Sequence, residues 1–293
     1  MPLFDEKTLR KLDRLALIAS RVRAGQIKGE RRSTKHGSSI EFADYRNYTR
    51  GDDLRRMDWN VYARLERPFI KLLEEEEDLA VHILVDGSRS MEWGEGEFNK
   101  LDYALILAAA LGYIALAAGD RLTVAVVRAA ANSRFGPARG RGHVLRLLDF
   151  LDQQEGQGQT DLNAALRDYA QAGGRAGLAF VISDLFSPAG YQPGLSALQG
   201  RGYEVTVLHL LSPDELDPPL AGDLKLMDVE TGQGQEVTLD SSLRDLYKRR
   251  VAAWRDEIEG YCLKRDVHYV PVATSTAWER LVLFNLRRQR LIR

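Results

Sequence analysis

The run Val81-His-Ile-Leu-Val85 narrows the choice of fold more than any other stretch of this chain. Short apolar runs that lack polar alternation are the mark of strands buried on both faces of a parallel sheet. Parallel strands need long crossovers, usually helices, and the chain supplies them in turn. An alanine-rich helix is predicted over 99–118, a strand carrying Leu122, Val124, Val126 and Val127 over 120–128, and helices over 143–151 and 162–172. A strand at 178–184, a short helix near 193–199 and a strand at 203–210 follow. The alternation predicts a doubly wound, mostly parallel α/β sheet of Rossmann type. At 293 residues the chain can bury one such core and still carry an extension.

Where the first run ends, the chemistry changes. Asp86, Ser88 and Ser90 place one carboxylate and two hydroxyls at alternate positions, at the strand end where open α/β sheets hold their ligands. Oxygen donors without Cys or His suit a hard cation of the Mg²⁺ type. The glycine-rich stretch 156–166 delivers Thr160 just before a helix that Thr160 or Asp161 can cap. The second strand ends at Asp184. In a parallel sheet these three ends converge, so Asp86, Ser88, Ser90, Thr160 and Asp184 form the candidate metal set. Taken singly, each is also an ordinary turn or cap former.

In this order the five residues resemble the metal-ion-dependent adhesion site of von Willebrand factor A-type domains, which implies a von Willebrand factor A-like sheet. The resemblance also implies that the serines and the threonine approach Mg²⁺ or Mn²⁺ directly or through water. The aspartates would hold coordinating waters, and one position would stay open for a partner's carboxylate. The physics agrees, because neutral hydroxyl ligands leave much of the cation's charge to attract an outside Glu or Asp. A second stretch carries a further resemblance. Gly37-Ser38-Ser39-Ile40-Glu41-Phe42, Asp44-Tyr45-Arg46-Asn47-Tyr48, Gly51-Asp52-Asp53, Arg55, Met57-Asp58-Trp59-Asn60 and Ala63-Arg64 are similar to the bacterial and archaeal domain-of-unknown-function family fifty-eight. Such proteins commonly carry a von Willebrand factor A-like domain and are often encoded beside MoxR-type AAA+ ATPases, which implies a shared pathway. Many also have N-terminal membrane helices.

Composition bounds the remaining readings. With 41 basic and 42 acidic residues the formal net charge is -1, so no whole-molecule field draws the chain to nucleic acid. Residues 1–72 are locally basic, roughly +7 by count, which keeps nucleic-acid binding as an alternative. Acids threaded among the arginines predict fork pairs of Arg46, Arg55 and Arg64 with Asp44, Asp53 and Asp58, with Tyr45, Tyr48, Trp59 and Tyr62 packing beside them. The expected division is an N-terminal helix (4–24) and family-specific extension over 1–78, packed on an α/β domain over 79–293. Towards the C-terminus the pattern predicts a hairpin (224–229 with 236–239), a long helix (241–263), a strand (267–272) and a basic amphipathic helix (278–292). Cys262 is the only cysteine, which excludes an internal disulfide and a thiolate zinc site. The five histidines lack ligand spacing, and each reads as a surface or satisfied core residue. Residues 103–119 are uncharged over about the minimum length of a membrane span, yet lie between two predicted strands and read as a buried helix. No secretory signal is expected, and the predicted compartment is the cytoplasm.

Three function classes follow. The first is a non-catalytic, divalent-metal-dependent protein-interaction module. The second is a metal-dependent hydrolase or phosphatase in the same strand-end pocket, although Ser88 stands where a haloacid-dehalogenase phosphatase needs its second Asp. The third is nucleic-acid binding by the basic N-terminal region. No Gly-x-x-x-x-Gly-Lys-Ser/Thr run is present, so ATP hydrolysis is not expected of this chain.

Overall fold

The computed structural model describes residues 6–18, 40–49, 52, 57–75, 79–94, 96–128, 132–156, 158, 161–172, 174–218, 222–227, 234–239 and 241–292. The chain forms two compact units, one of Lys28–Asp78 and one of Met1–Ile27 with Leu79–Arg293. The single boundary expected after residue 78 is therefore two boundaries, and the N-terminal helix α1 (Glu6–Leu12) belongs with the α/β unit. That helix is also shorter than its periodicity predicts. Leu9 and Leu12 keep helical spacing, but Leu15 and Leu17 are two apart, which is strand spacing. Leu17 pairs with Ile292 in an antiparallel bridge, and the Ile18 N–H donates to the Leu291 carbonyl.

In the smaller unit β1 (Ile40–Asn47) pairs antiparallel with β2 (Phe69–Glu75), with a bulge between Phe42 and Asp44. Between them lies α2 (Trp59–Leu65), started by Asp58, whose Oδ1 accepts the N–H groups of Asn60 and Val61 at 3.0 and 3.2 Å. Asp58, expected among the arginine fork pairs, is thus the helix cap. The side chains of Asp44, Tyr45 and Arg46, and the whole of Asp53 and Arg55, lie outside the described residues. Trp59 and Tyr62 meet edge to face at 6.1 Å but remain exposed on the helix surface.

The larger unit continues with β3 (Ala80–Asp86), α3 (Lys100–Ala118), β4 (Arg121–Val127), β5 (Ser133–Arg139), α4 (Val144–Asp152), α5 (Leu162–Gln171) and β6 (Leu178–Ser183). Then come α6 (Gln192–Gly200), β7 (Glu204–Leu211), the single turn α7 (Pro213–Leu216), the hairpin β8 (Gly222–Met227) with β9 (Gly234–Leu239), α8 (Ser241–Lys264) and β10 (His268–Ala273). The last helix, α9 (278–288), carries a π segment at Leu281–Asn285. Six strands form one sheet in the order β10-β7-β6-β3-β4-β5, all parallel except the edge strand β5. The polar stretch around 132–142 supplies that edge strand. Gly136 sits at φ +89°, and a Cβ there would stand 2.4 Å from the Leu122 carbonyl oxygen, so only glycine lets β5 close onto β4.

The apolar runs contain no polar alternation because both faces of the sheet are covered. Val81, Ile83 and Val85 point with Val124, Val126, Phe180 and Ile182 into a core closed by Leu107, Leu111 and Ile114 of α3. Leu84, Ala125, Val127, Val181, Val205 and Val207 point the other way, onto Leu166 of α5, Leu195 of α6 and Ile258 of α8. The period of two within each strand divides the two cores. α3 is the one helix among the described residues long and apolar enough to cross a membrane, and most of its length is buried in the first of these cores. Each buried Leu or Val there contributes about 2 kcal/mol, which accounts for so apolar a helix within the fold.

His82, the one polar residue inside the first run, is satisfied in place. Its Nε2 lies 3.0 Å from the Arg175 carbonyl oxygen and its Nδ1 2.7 Å from the Tyr169 hydroxyl. A carbonyl only accepts, so Nε2 carries the proton and Nδ1 accepts from the tyrosine. Burial holds the imidazole below its ordinary value of 6.5. The unfolded chain therefore takes up the proton first, and the stability supplied by neutral His82 is complete above pH 6.5 and lost as the pH falls towards the folded value. Between pH 7 and 5 the melting temperature of the wild type should fall more steeply than that of His82→Gln. Parallel curves for the two proteins would refute this.

Candidate metal centre

The chain leaves β3 for β4 on one side and later returns to place β6 on the other, so β3 and β6 flank the topological switch point of the sheet. Ligand sites of open α/β sheets form there, beyond the carboxyl ends of the strands. Asp86 is the last residue of β3, and Asp184 directly follows β6. Val85 pairs with Ile182, which brings Asp86 alongside Ser183. The Ser183 hydroxyl donates to Asp86 Oδ2 at 2.7 Å, tying the two strand ends together.

The turn after β3 gathers the other donors. Asp86 Oδ1 accepts the Ser88 N–H at 3.0 Å, and the Ser88 and Ser90 hydroxyl oxygens stand 3.0 Å apart. Asp86 and Ser88 are buried, and Ser90 is half-buried. Gly87 permits this turn, because a Cβ there would press within 2.8 Å of Val126 and 3.0 Å of Arg128. The glycine-rich loop meets the same turn: the Arg89 N–H donates to the Gly158 carbonyl at 2.9 Å, and Gly156 packs against Glu92. Thr160, two residues beyond Gly158, lies outside the described residues. Asp161 is the cap of α5, its Oδ1 accepting the Ala164 N–H at 2.9 Å.

Asp184 does not stand as a free ligand. Its Oδ1 accepts the Phe186 N–H at 3.0 Å, and its Oδ2 lies 2.7 Å from Nζ of Lys100, the first residue of α3. Lys100 is fully buried, and its Nζ also lies 2.5 Å from Glu215 Oε1. Glu215 is held in turn by a capping box: the Ser212 hydroxyl accepts the Glu215 N–H, while Glu215 Oε2 accepts the Ser212 N–H at 2.8 Å. His209 supports the Asp184 backbone, with Nε2 at 3.0 Å from its carbonyl oxygen and Nδ1 at 2.7 Å from the Tyr269 hydroxyl. Burial pushes this imidazole down to about 4, so it is neutral near pH 7, donating through Nε2.

Among the described residues Asp86 has no such counter-ion. Its described partners are a hydroxyl and an amide, and burial together with the charge of Asp184 pushes its carboxyl up to about 6. A buried carboxylate without a cation is an unstable arrangement that a bound cation relieves. Among the described residues no three His, Cys, Asp or Glu side chains are grouped as metal ligands, so a cation here would rest on hydroxyls, water and Asp86. A hard cation accepts such a donor set.

Of the five residues named from the sequence, Asp86, Ser88, Ser90 and Asp184 lie at or just beyond the two strand ends, and Lys100, Glu215 and Ser183, which contact them or each other there, were not among the five. Two signals were present. A lysine at the first position of a helix opposes the helix dipole, which implies an acidic partner elsewhere in the fold. Ser212-Pro-Asp-Glu215 carries the Ser-x-x-Glu spacing of a capping box.

The fold and this site define an α/β protein with a mostly parallel sheet and a cluster of carboxylate and hydroxyl oxygens at its switch point. The chain belongs to the family described as "Protein of unknown function DUF58", which matches residues 44–257. Among relatives, the uncharacterized protein Rv1480 of Mycobacterium tuberculosis is 31% identical over 257 residues, 87% of this chain and 81% of its own length. The uncharacterized protein MAV169 of Mycobacterium avium is 36% identical over 126 residues, 42% of this chain and 74% of its own length. Among solved structures, the conserved hypothetical protein BatB from Bacteroides thetaiotaomicron is similar over 72% of this chain and 98% of its own, at 16% identity and a TM-score of 0.43.

Proposed function

We propose that this protein is a non-catalytic protein-interaction module whose strand-end pocket takes Mg²⁺ or Mn²⁺ in the manner of a von Willebrand factor A-type adhesion site. Ser88, Ser90 and Thr160 would offer hydroxyls directly or through water, and Asp86 and Asp184 carboxylates that hold the coordinating waters. The observation that carries the reading is the buried Asp86 carboxylate, without a cationic partner among the described residues, beside two converging hydroxyls at the switch point. Hydroxyl donors leave most of a dication's charge unneutralised, which fits a partner that offers an acidic side chain. The family resemblance puts forward a MoxR-type AAA+ ATPase as that partner. His209 supports a non-catalytic role: both its ring nitrogens are engaged and it is neutral, which leaves Ser88 and Ser90 without that residue as a general base. The lone buried thiol of Cys262 is in keeping with a cytoplasmic setting. Calorimetric titration of the full chain tests the reading, with saturable uptake of one Mg²⁺ or Mn²⁺ expected. Absence of uptake at millimolar metal would remove it.

A further inference from the structure

The group that the proposed function leaves unused is Lys100. It is buried completely, at 2.7 Å from Asp184 and 2.5 Å from Glu215, so a cation is already installed beside a carboxylate that a dication would draw on. Both Asp184 oxygens are engaged, one by Lys100 and one by the Phe186 N–H. Asp184 can therefore turn towards a dication only through water or by yielding the ammonium to Glu215, which already holds it and is itself fixed by its capping box. The charges add up in the same sense. Asp86, Asp184 and Glu215 carry three negative charges against one positive charge on Lys100, and a dication brings the group to neutrality. Without Lys100 and Glu215 two carboxylates would face the dication with no fixed cation opposing it. Like charges repel strongly where water is excluded.

We infer that Lys100 sets the cation affinity of this pocket: it is a resident counter-ion that joins Asp184 to Glu215 in the metal-free protein and opposes a dication that enters. The inference rests on the metal reading above and makes Lys100 a positioning residue, acting through Asp184. Its consequence is a deliberately weak site, in which more of the metal's charge is left to an outside carboxylate than the three internal ones alone would leave.

The test is Mn²⁺ titration of the full chain in three forms: wild type, Lys100→Met with Glu215→Gln, and Glu215→Gln alone. The double variant should bind Mn²⁺ at least tenfold more tightly than wild type. The single variant, which keeps the ammonium but removes its second partner, should bind at least threefold more weakly. A purely structural role for Lys100 would not produce shifts of opposite sign. Equal or weaker binding by a folded double variant, beside measurable binding by wild type, overturns the inference and leaves the metal reading standing. Uptake by neither protein overturns both. Uptake by the double variant alone supports the inference and removes the proposed function, the ammonium then being the cation that the native pocket accepts. If the double variant does not fold, unchanged or tighter binding by Glu215→Gln overturns the inference.

Discussion

Asp86→Asn should lose Mg²⁺ and Mn²⁺ binding and yet melt at a higher temperature than the metal-free wild type at pH 7. Both effects have one cause. The folded protein holds the Asp86 carboxyl at about 6, above its ordinary 3.8, so the fold favours the protonated form. As the pH rises through that interval the folded state must surrender a proton that the unfolded chain has already released, and stability falls; above pH 6 the loss is complete. A shift of that size corresponds to about 3 kcal/mol, or roughly 8 °C in a chain of this length. Asparagine keeps the shape and can still accept the Ser88 N–H while carrying no charge. The gain should vanish near pH 4, where Asp86 is protonated in the wild type. A variant that binds metal as well as the wild type, or that is less stable at pH 7, would count against both Asp86 as a ligand and the absence of a counter-ion.

Lys100→Met should produce the opposite result. Removing one member of a buried ion pair leaves the others uncompensated, typically at a loss of about 4 kcal/mol, so the melting temperature should drop by roughly 10 °C. Asp184 is almost fully buried and Glu215 largely so, which leaves little water to take over the role of the ammonium. Millimolar Mn²⁺ should recover part of the loss, because a cation bound only by the folded state stabilises it by mass action. Thermal melts with and without Mn²⁺ check this, and an unchanged midpoint in the metal-free variant would show that the pair is not what holds this corner together.

Much of this organisation was legible in the residues. The runs at Val81, Leu122, Leu178 and Tyr203 announced strands covered on both faces, and each is a strand of the main sheet within a residue or two. The helix over 99–118 was readable because Asn99 caps it and Gly119 ends it at φ +82°. The first helix was not, because helical spacing ends at Leu15 and Leu17, and Leu17 and Ile18 instead pair with the far end of the chain at Ile292 and Leu291. The edge strand β5 was obscured by its glycine and proline, which an edge tolerates and a central strand does not.

What the sequence determined by itself is local: strand and helix periods, the caps, and the placing of Asp86, Ser88, Ser90 and Asp184 at or just beyond strand ends. What only the tertiary structure decided is the charge each of those groups meets. Lys100 lies 84 residues from Asp184 and 115 from Glu215 along the chain, and no periodicity reports on a pairing made across an interior. Coulomb interactions depend on distance and on the exclusion of water, and both are set when α3 packs against the sheet.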